Sequence, residues 1–278
     1  MAEAVATPSP RLSPWRGLLW LALAALALAG LGPLLAADPL ATDLRDRLAP
    51  PSWDHPLGTD HLGRDLLARI LHGARLSLGL SFLIATCAAA IGGAVGLLAG
   101  VAGRVADAAL TRVTEIFLSF PELIAAVAIA GALGPSVTNM AVALIATGWM
   151  RHARVARAIV LEVRERDYIT QARLFGVRPA TLAWRHFAPA VAPSLVVLWT
   201  AGWARAILAV SGLGFLGFGA QPPEPEWGAM LLDARSRLMT DPLLMLWPGL
   251  AVALSVLAIT LSGDALRDSI GLDERRAA

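Results

Sequence analysis

The chain has 278 residues, 56% hydrophobic and 16% charged, against roughly 25% charged in an average soluble domain. Mean hydropathy is +0.63 and net charge +2, an apolar excess too large for a soluble core of this size to hide, so the class is an integral membrane protein. One cysteine, Cys87, excludes an intrachain disulfide and a thiolate metal cluster; all 23 basic residues are arginine, which excludes a P-loop lysine and a Schiff-base lysine.

A spanning helix needs about 20 apolar residues. Residues 17–37 form the first uncharged run. Its length exceeds the roughly 7–15 residues of a signal-peptide core, so it reads as an uncleaved anchor. The second run is 76–103. The third, 123–150, is broken by Gly134-Pro135, which predicts two spans, the first borrowing residues 116–121. A span at about 191–211 follows; the glycine-rich stretch 211–219 predicts an irregular re-entry after it. The run 242–263 is last. The expected fold is all-α and polytopic with six transmembrane helices. It divides into an anchor helix and extracytoplasmic segment (1–72), a transmembrane core (73–263) with a cytoplasmic loop (151–187), and a tail (264–278). Eight arginines against three acids in 151–186 predict that this loop is cytoplasmic and that both termini lie inside.

Within that loop, Asp167 is expected as the N-cap of a short helix whose apolar positions 168, 169, 172 and 175 share one face. Gly176 is placed to end it in the left-handed conformation, and Pro179 suits the first turn of a second helix over 180–187. The product is a helix–glycine–helix elbow, either a connector on the lipid surface or a plug for a soluble partner. Residues 167–176, with Arg185-His186-Phe187-Ala188-Pro189 and Pro193, resemble the EAA loop of permease subunits of binding-protein-dependent ABC importers. Thr170-Gln171-Ala172 stand where that family has Glu-Ala-Ala; losing the glutamate removes a capping box, at a cost of up to about 1 kcal/mol.

Further segments resemble the dipeptide/oligopeptide/nickel branch of that family, in the order of its second permease subunit. They are His55-Pro-Leu-Gly58-Thr59-Asp60-His61-Leu62-Gly63-Arg64-Asp65, Phe120-Pro121, residues 214–228 and residues 263–268. The resemblance implies an inner-membrane subunit forming half of a translocation path for peptides or nickel. It implies a second permease subunit, two ATPase subunits or domains and an extracytoplasmic binding protein as partners, besides membrane lipid. It makes Asp167, Thr170, Gln171, Ala172, Gly176 and Pro189 the ATPase-coupling residues. His55, Gly58, Asp60, Gly63, Arg64 and Asp65 become family signature positions. Neither a cofactor nor nucleic acid is implied.

Asp54, His55, Asp60, His61, Asp65 and His72 lie close in sequence, but their spacing matches no closed metal site and reads as capping and turning, so no metal is assigned. Arg205 is the one charge well inside a span; at a cost of about 2.5–3.5 kcal/mol it either faces a cavity or partner or snorkels outward. Glu122 either lines the pathway or sits on a helix start behind Pro121. Trp199, Trp203 and Trp247 read as packing or interface residues. No Walker A, HExxH or Ser-His-Asp arrangement appears, so ATP hydrolysis is expected in trans and the chain is not expected to be an enzyme. Two rivals remain: an ion-coupled secondary transporter, which needs midplane charges that only Arg205 offers, and a non-transporting scaffold.

Overall fold

The structure, a computed structural model, describes residues 38–101 and 103–270, and every regular element among them is helical. The all-α class therefore holds. The anchor expected at 17–37 and the end of the tail lie outside the described residues.

Helix α1, Leu66–Val101, starts ten residues before the second uncharged run. The reason is its cap: Asp65 Oδ1 accepts from the Ala68 N–H at 2.7 Å, satisfying an orphan donor of the first turn. Arg69 and His72 thus belong to the helix. The third predicted span is corrected. Residues 116–133 are not one helix; α2, Arg104–Leu118, and α3, Glu122–Leu133, meet at 86°. Pro121 has no N–H and disfavours helical backbone at Phe120, so the ladder breaks there. Pro121 occupies the cap position, and Glu122 is the first residue of α3.

Gly134 ends α3, and Ser136 opens α4, Val137–Arg164, its hydroxyl accepting from the Asn139 N–H at 3.0 Å. Helix α4 runs fourteen residues past the apolar segment, which places Arg151 and His152 mid-helix rather than in a loop. Next come α5, Asp167–Leu174, and α6, Pro179–Leu182. The second elbow helix is not separate: α6 passes through a π turn, Ala183–Phe187, into α7, Ala188–Phe215. Pro189 cannot donate to the Arg185 carbonyl, and the widened turn absorbs the mismatch.

The irregular re-entry expected from residue 211 begins four residues late, because α7 continues through Ser211-Gly-Leu-Gly-Phe215. Tertiary packing overrides glycine's poor helix propensity there. A Cβ on Gly214 would meet Glu226 Oε2 at 2.4 Å and the Gly228 backbone at 3.0 Å, so the bare backbone is what lets α8, Trp227–Ala234, pack close. Helix α9, Leu243–Ile270, closes the bundle. The divisions expected at 72/73 and 263/264 fall inside α1 and α9.

Among the described residues, α1, the continuous helix Pro179–Phe215, and α9 are long and apolar enough to cross a membrane, and the bent pair α2–α3 adds a fourth candidate. Helix α4 stays below that threshold because Arg151, His152, Arg154 and Arg157 follow its apolar half. Its contact with α1 runs along a small-residue stripe. Cβ atoms on Gly92, Gly96 and Gly100 would meet the α4 backbone or side chains at 2.3, 2.5 and 2.2 Å. In lipid, where apolar side chains gain nothing by leaving water, such close backbone approach drives association. Between α1 and α7, Trp203 Nε1 donates to Ser81 Oγ and Trp199 Nε1 to Thr86 Oγ1, each at 3.1 Å, while Phe82 packs edge-on against both indoles.

Candidate functional site

Three groups of residues position the chemistry. The first is the elbow. Arg166, not Asp167, is the N-cap of α5; Asp167 sits in the first turn, where its charge opposes the positive helix end. Gly176 takes φ +74°. Its N–H donates to the Arg173 carbonyl and the Val177 N–H to the Ala172 carbonyl, at 3.0 and 3.1 Å, the pairing of a Schellman C-cap. Ile169 is fully buried in an apolar cluster with Ala156, Val160 and Val163 of α4, Leu182, and Phe187 and Val191. Thr170, Gln171 and Pro189 are exposed. Leu174, Phe175 and Trp184 are 82%, 86% and 78% exposed. A buried anchor thus carries exposed apolar residues that nothing among the described residues covers.

The second group is the segment before α1. Arg64 Nε donates to Asp60 Oδ2 at 2.6 Å, and Asp60 Oδ1 accepts the Leu62 and Arg64 N–H groups. Arg69 Nε lies 3.7 Å from the same carboxylate, and Asp233 of α8 lies 3.9 Å from Arg64 Nη2. Arg69 also donates to the Pro39 and Pro223 carbonyls. All three of Asp60, Arg64 and Arg69 are buried. His55 Nδ1 pairs with Asp65 at 2.8 Å. Gly58 and Gly63 have φ +80° and +74°, and a Cβ on Gly63 would collide with the Asp43 carbonyl. These signature positions form one staple that ties residues 38–65 onto α1 and α8.

The third group lies between α1, α3, α4 and α7. Glu122, Arg151, His152 and Arg205 line one cavity of about 40 Å³, with Ala85 and Ala88 on the α1 side. Arg205 therefore faces a cavity between helices, and Glu122 lines that cavity while opening α3. Arg151 Nη2 is 3.4 Å from Glu122 Oε2. Arg205 makes no hydrogen bond or ion pair among the described residues. His152 is 2% exposed; its Nδ1 is 3.4 Å from the Gly148 carbonyl. Its Nε2 has no hydrogen-bond partner among the described residues. The Leu198 carbonyl is near the ring but outside hydrogen-bond geometry. Arg151 and His152 escaped the sequence reading because they were counted with the basic loop. The signal was there: Leu144, Gly148, Arg151 and His152 share one face of α4, as Gly202, Arg205 and Ala209 share one of α7.

Residues 67–274 match the binding-protein-dependent transport system inner membrane component family. The chain belongs to that family. It is 42% identical over 240 residues to the nickel transport system permease protein NikC of Escherichia coli (strain K12), covering 85% of each chain. It is 39% identical over 239 residues to the dipeptide transport system permease protein DppC of Alkalihalophilus pseudofirmus, covering 86% of this chain and 79% of that one. A putative peptide transport system permease protein of Brucella suis is 39% identical over 253 residues, 91% and 85% of the two chains. In fold the chain is similar to an inward-facing structure of the MetNI methionine ABC transporter, with TM-score 0.61 and 21% identity over 74% of this chain and 97% of that one. The protein is thus a multi-pass permease component of an ABC import system, in the dipeptide/nickel branch.

Proposed function

We propose that this permease forms half of a translocation path through the inner membrane, with a second permease subunit, two ATPase subunits or domains and an extracytoplasmic binding protein as partners. The elbow is the ATPase-docking element. Its single strongest support is the combination of an exposed apolar knuckle, Leu174-Phe175 and Trp184, with a buried anchor at Ile169. Exposed aromatic residues of this kind seat in a partner's groove as helix-in-groove anchors, and the anchor transmits their displacement into α4 and α7. The basic segment 151–186 then faces the cytoplasm, both termini are inside, and six helices span the membrane. The chain hydrolyses nothing itself and needs no cofactor. The solute is a peptide, nickel or a similar small solute, as the relatives' names suggest.

The test is reconstitution of the full complex with Phe175→Asp. The variant subunit should insert and pair with the second permease, while copurification of the ATPase falls at least tenfold. Wild-type copurification with normal uptake by Phe175→Asp would overturn the docking role.

A further inference from the structure

The cavity between α1, α3, α4 and α7 holds charges the coupling mechanism does not use. Glu122 and Arg151 neutralise one another at 3.4 Å. Arg151 and Arg205 both face the single Glu122 carboxylate, so the cavity carries one net positive charge beside an imidazole. The Arg205 Nη2 and His152 Nε2 atoms converge on the space beside Gly202: a methyl placed there would sit 3.8 Å from Nη2 and 3.5 Å from Nε2. Nδ1 faces the Gly148 carbonyl at 3.4 Å while Nε2 has no hydrogen-bond partner among the described residues; the tautomer with its proton on Nδ1 leaves Nε2 a lone pair facing the gap. The gap therefore offers a cationic fork next to a neutral acceptor. A guanidinium is shaped for a carboxylate, and a lone pair takes an N–H. A divalent cation finds one imidazole and one carboxylate here, the latter shared with Arg151, under the repulsion of two guanidiniums. At about 40 Å³ the cavity has room for one such group.

We propose that the gap beside Gly202 is a docking point for a solute carboxylate on Arg205, with a neighbouring solute N–H donating to His152 Nε2. The proposal rests on the permease reading and narrows its solute to one carrying an acid beside an amide or amine. A bare nickel ion is disfavoured.

The probes are N-acetylglycine, which has both groups, N-acetylglycinamide, which lacks the carboxylate, and nickel chloride. Each is titrated by calorimetry into the purified complex of this permease with its partner permease and ATPases. N-acetylglycine should bind saturably, and Arg205→Gln should weaken it at least tenfold, with Arg205→Lys between. Gly202→Ala should also weaken it at least tenfold: its methyl makes only ordinary contacts, so the helix is retained and the space is filled. The amide and nickel should not bind. Equal affinity for acid and amide, no saturable binding, wild-type affinity in Gly202→Ala, or nickel binding abolished by His152→Gln would each overturn the proposal. ATP hydrolysis stimulated by the binding protein, measured on the same wild-type complex, tests the permease reading separately: if it is present while the acid fails to bind, only the docking point is lost.

Discussion

Single residues here are placed by what burial demands of charge. Asp60 holds two buried arginines, Arg64 at 2.6 Å and Arg69 at 3.7 Å. Taking the carboxylate away leaves both cations in a low-dielectric pocket, and breaking a buried pair in this way costs about 3–5 kcal/mol. Asp60→Asn should therefore lower the yield and thermal midpoint of the complex, whereas the charge change at exposed Asp38→Asn should leave both as they were; equal midpoints for the two variants would contradict the staple. Glu226 is a second case, 0% exposed, accepting the Gly228 and Ala229 N–H groups at 2.8 Å and the Ser77 hydroxyl at 3.1 Å. Burial pushes its carboxyl up, against the pull of those donors. Because each oxygen takes a backbone N–H and glutamine keeps only one of the two, Glu226→Gln should lose part of the stability that Glu226→Ala loses in full, about 1–3 kcal/mol, measured as thermal midpoints. The sequence announced Asp60 and Arg64 only through resemblance; nothing in their spacing showed that Arg69, inside an apolar-looking helix start, shares their carboxylate.

At the scale of elements, Gly176 stands free of neighbours: a Cβ there meets nothing within 4 Å. Any effect of substitution is then backbone strain alone. Gly176→Val should cost about 1–2 kcal/mol locally and reduce binding-protein-stimulated ATPase, while Gly176→Asn, which tolerates positive φ, stays near wild type. Equal stimulation by both variants would remove the elbow from the coupling path. Gly96 is the opposite case, steric and not conformational. A Cβ there would lie 2.5 Å from the Ala153 carbonyl oxygen, so Gly96→Leu should separate α1 from α4 and abolish assembly, readable as loss of the intact complex on size exclusion. The short elbow helix and the helix ends at Gly134 and Gly176 were legible because turn chemistry is local. The 86° bend, the length of α4 and the helical course of 211–215 were not. Each depends on which backbone packs against which, and hydropathy runs carry no information about partners.

For the whole molecule, the arginine asymmetry sets the expected orientation and the absence of lysine the expected energy source. With Cys87 replaced by Ala, Trp53→Cys, fully exposed, should react with an impermeant maleimide only from outside, and Phe175→Cys only from inside; the reverse pattern would invert the topology. The isolated chain should release no phosphate from ATP, since no lysine exists to reach the β- and γ-phosphates. Saturable, Mg²⁺-dependent hydrolysis by the pure chain would falsify that assignment.

The anchor of the elbow has a mechanical corollary. The Ile169 cluster gathers α4 and the start of α7, with Leu97 and Val101 of α1 against it, and the glycine stripe clamps α1 to α4. These three helices form one stiff frame, and a push at the knuckle moves it as a unit. From Val163 to Arg151 the rod is about 18 Å long at 1.5 Å per residue, and a helix neither stretches nor compresses appreciably over that distance. Helix α3 supplies the remaining wall of the Arg205 cavity through Glu122, directly after the 86° bend. The Glu122–Arg151 contact is the ion pair that joins α3 to this frame, so any relative movement of the two would be read there. Spin labels across 124 and 151 should change separation during the ATP cycle, while labels across 151 and 205, both on the frame, should not.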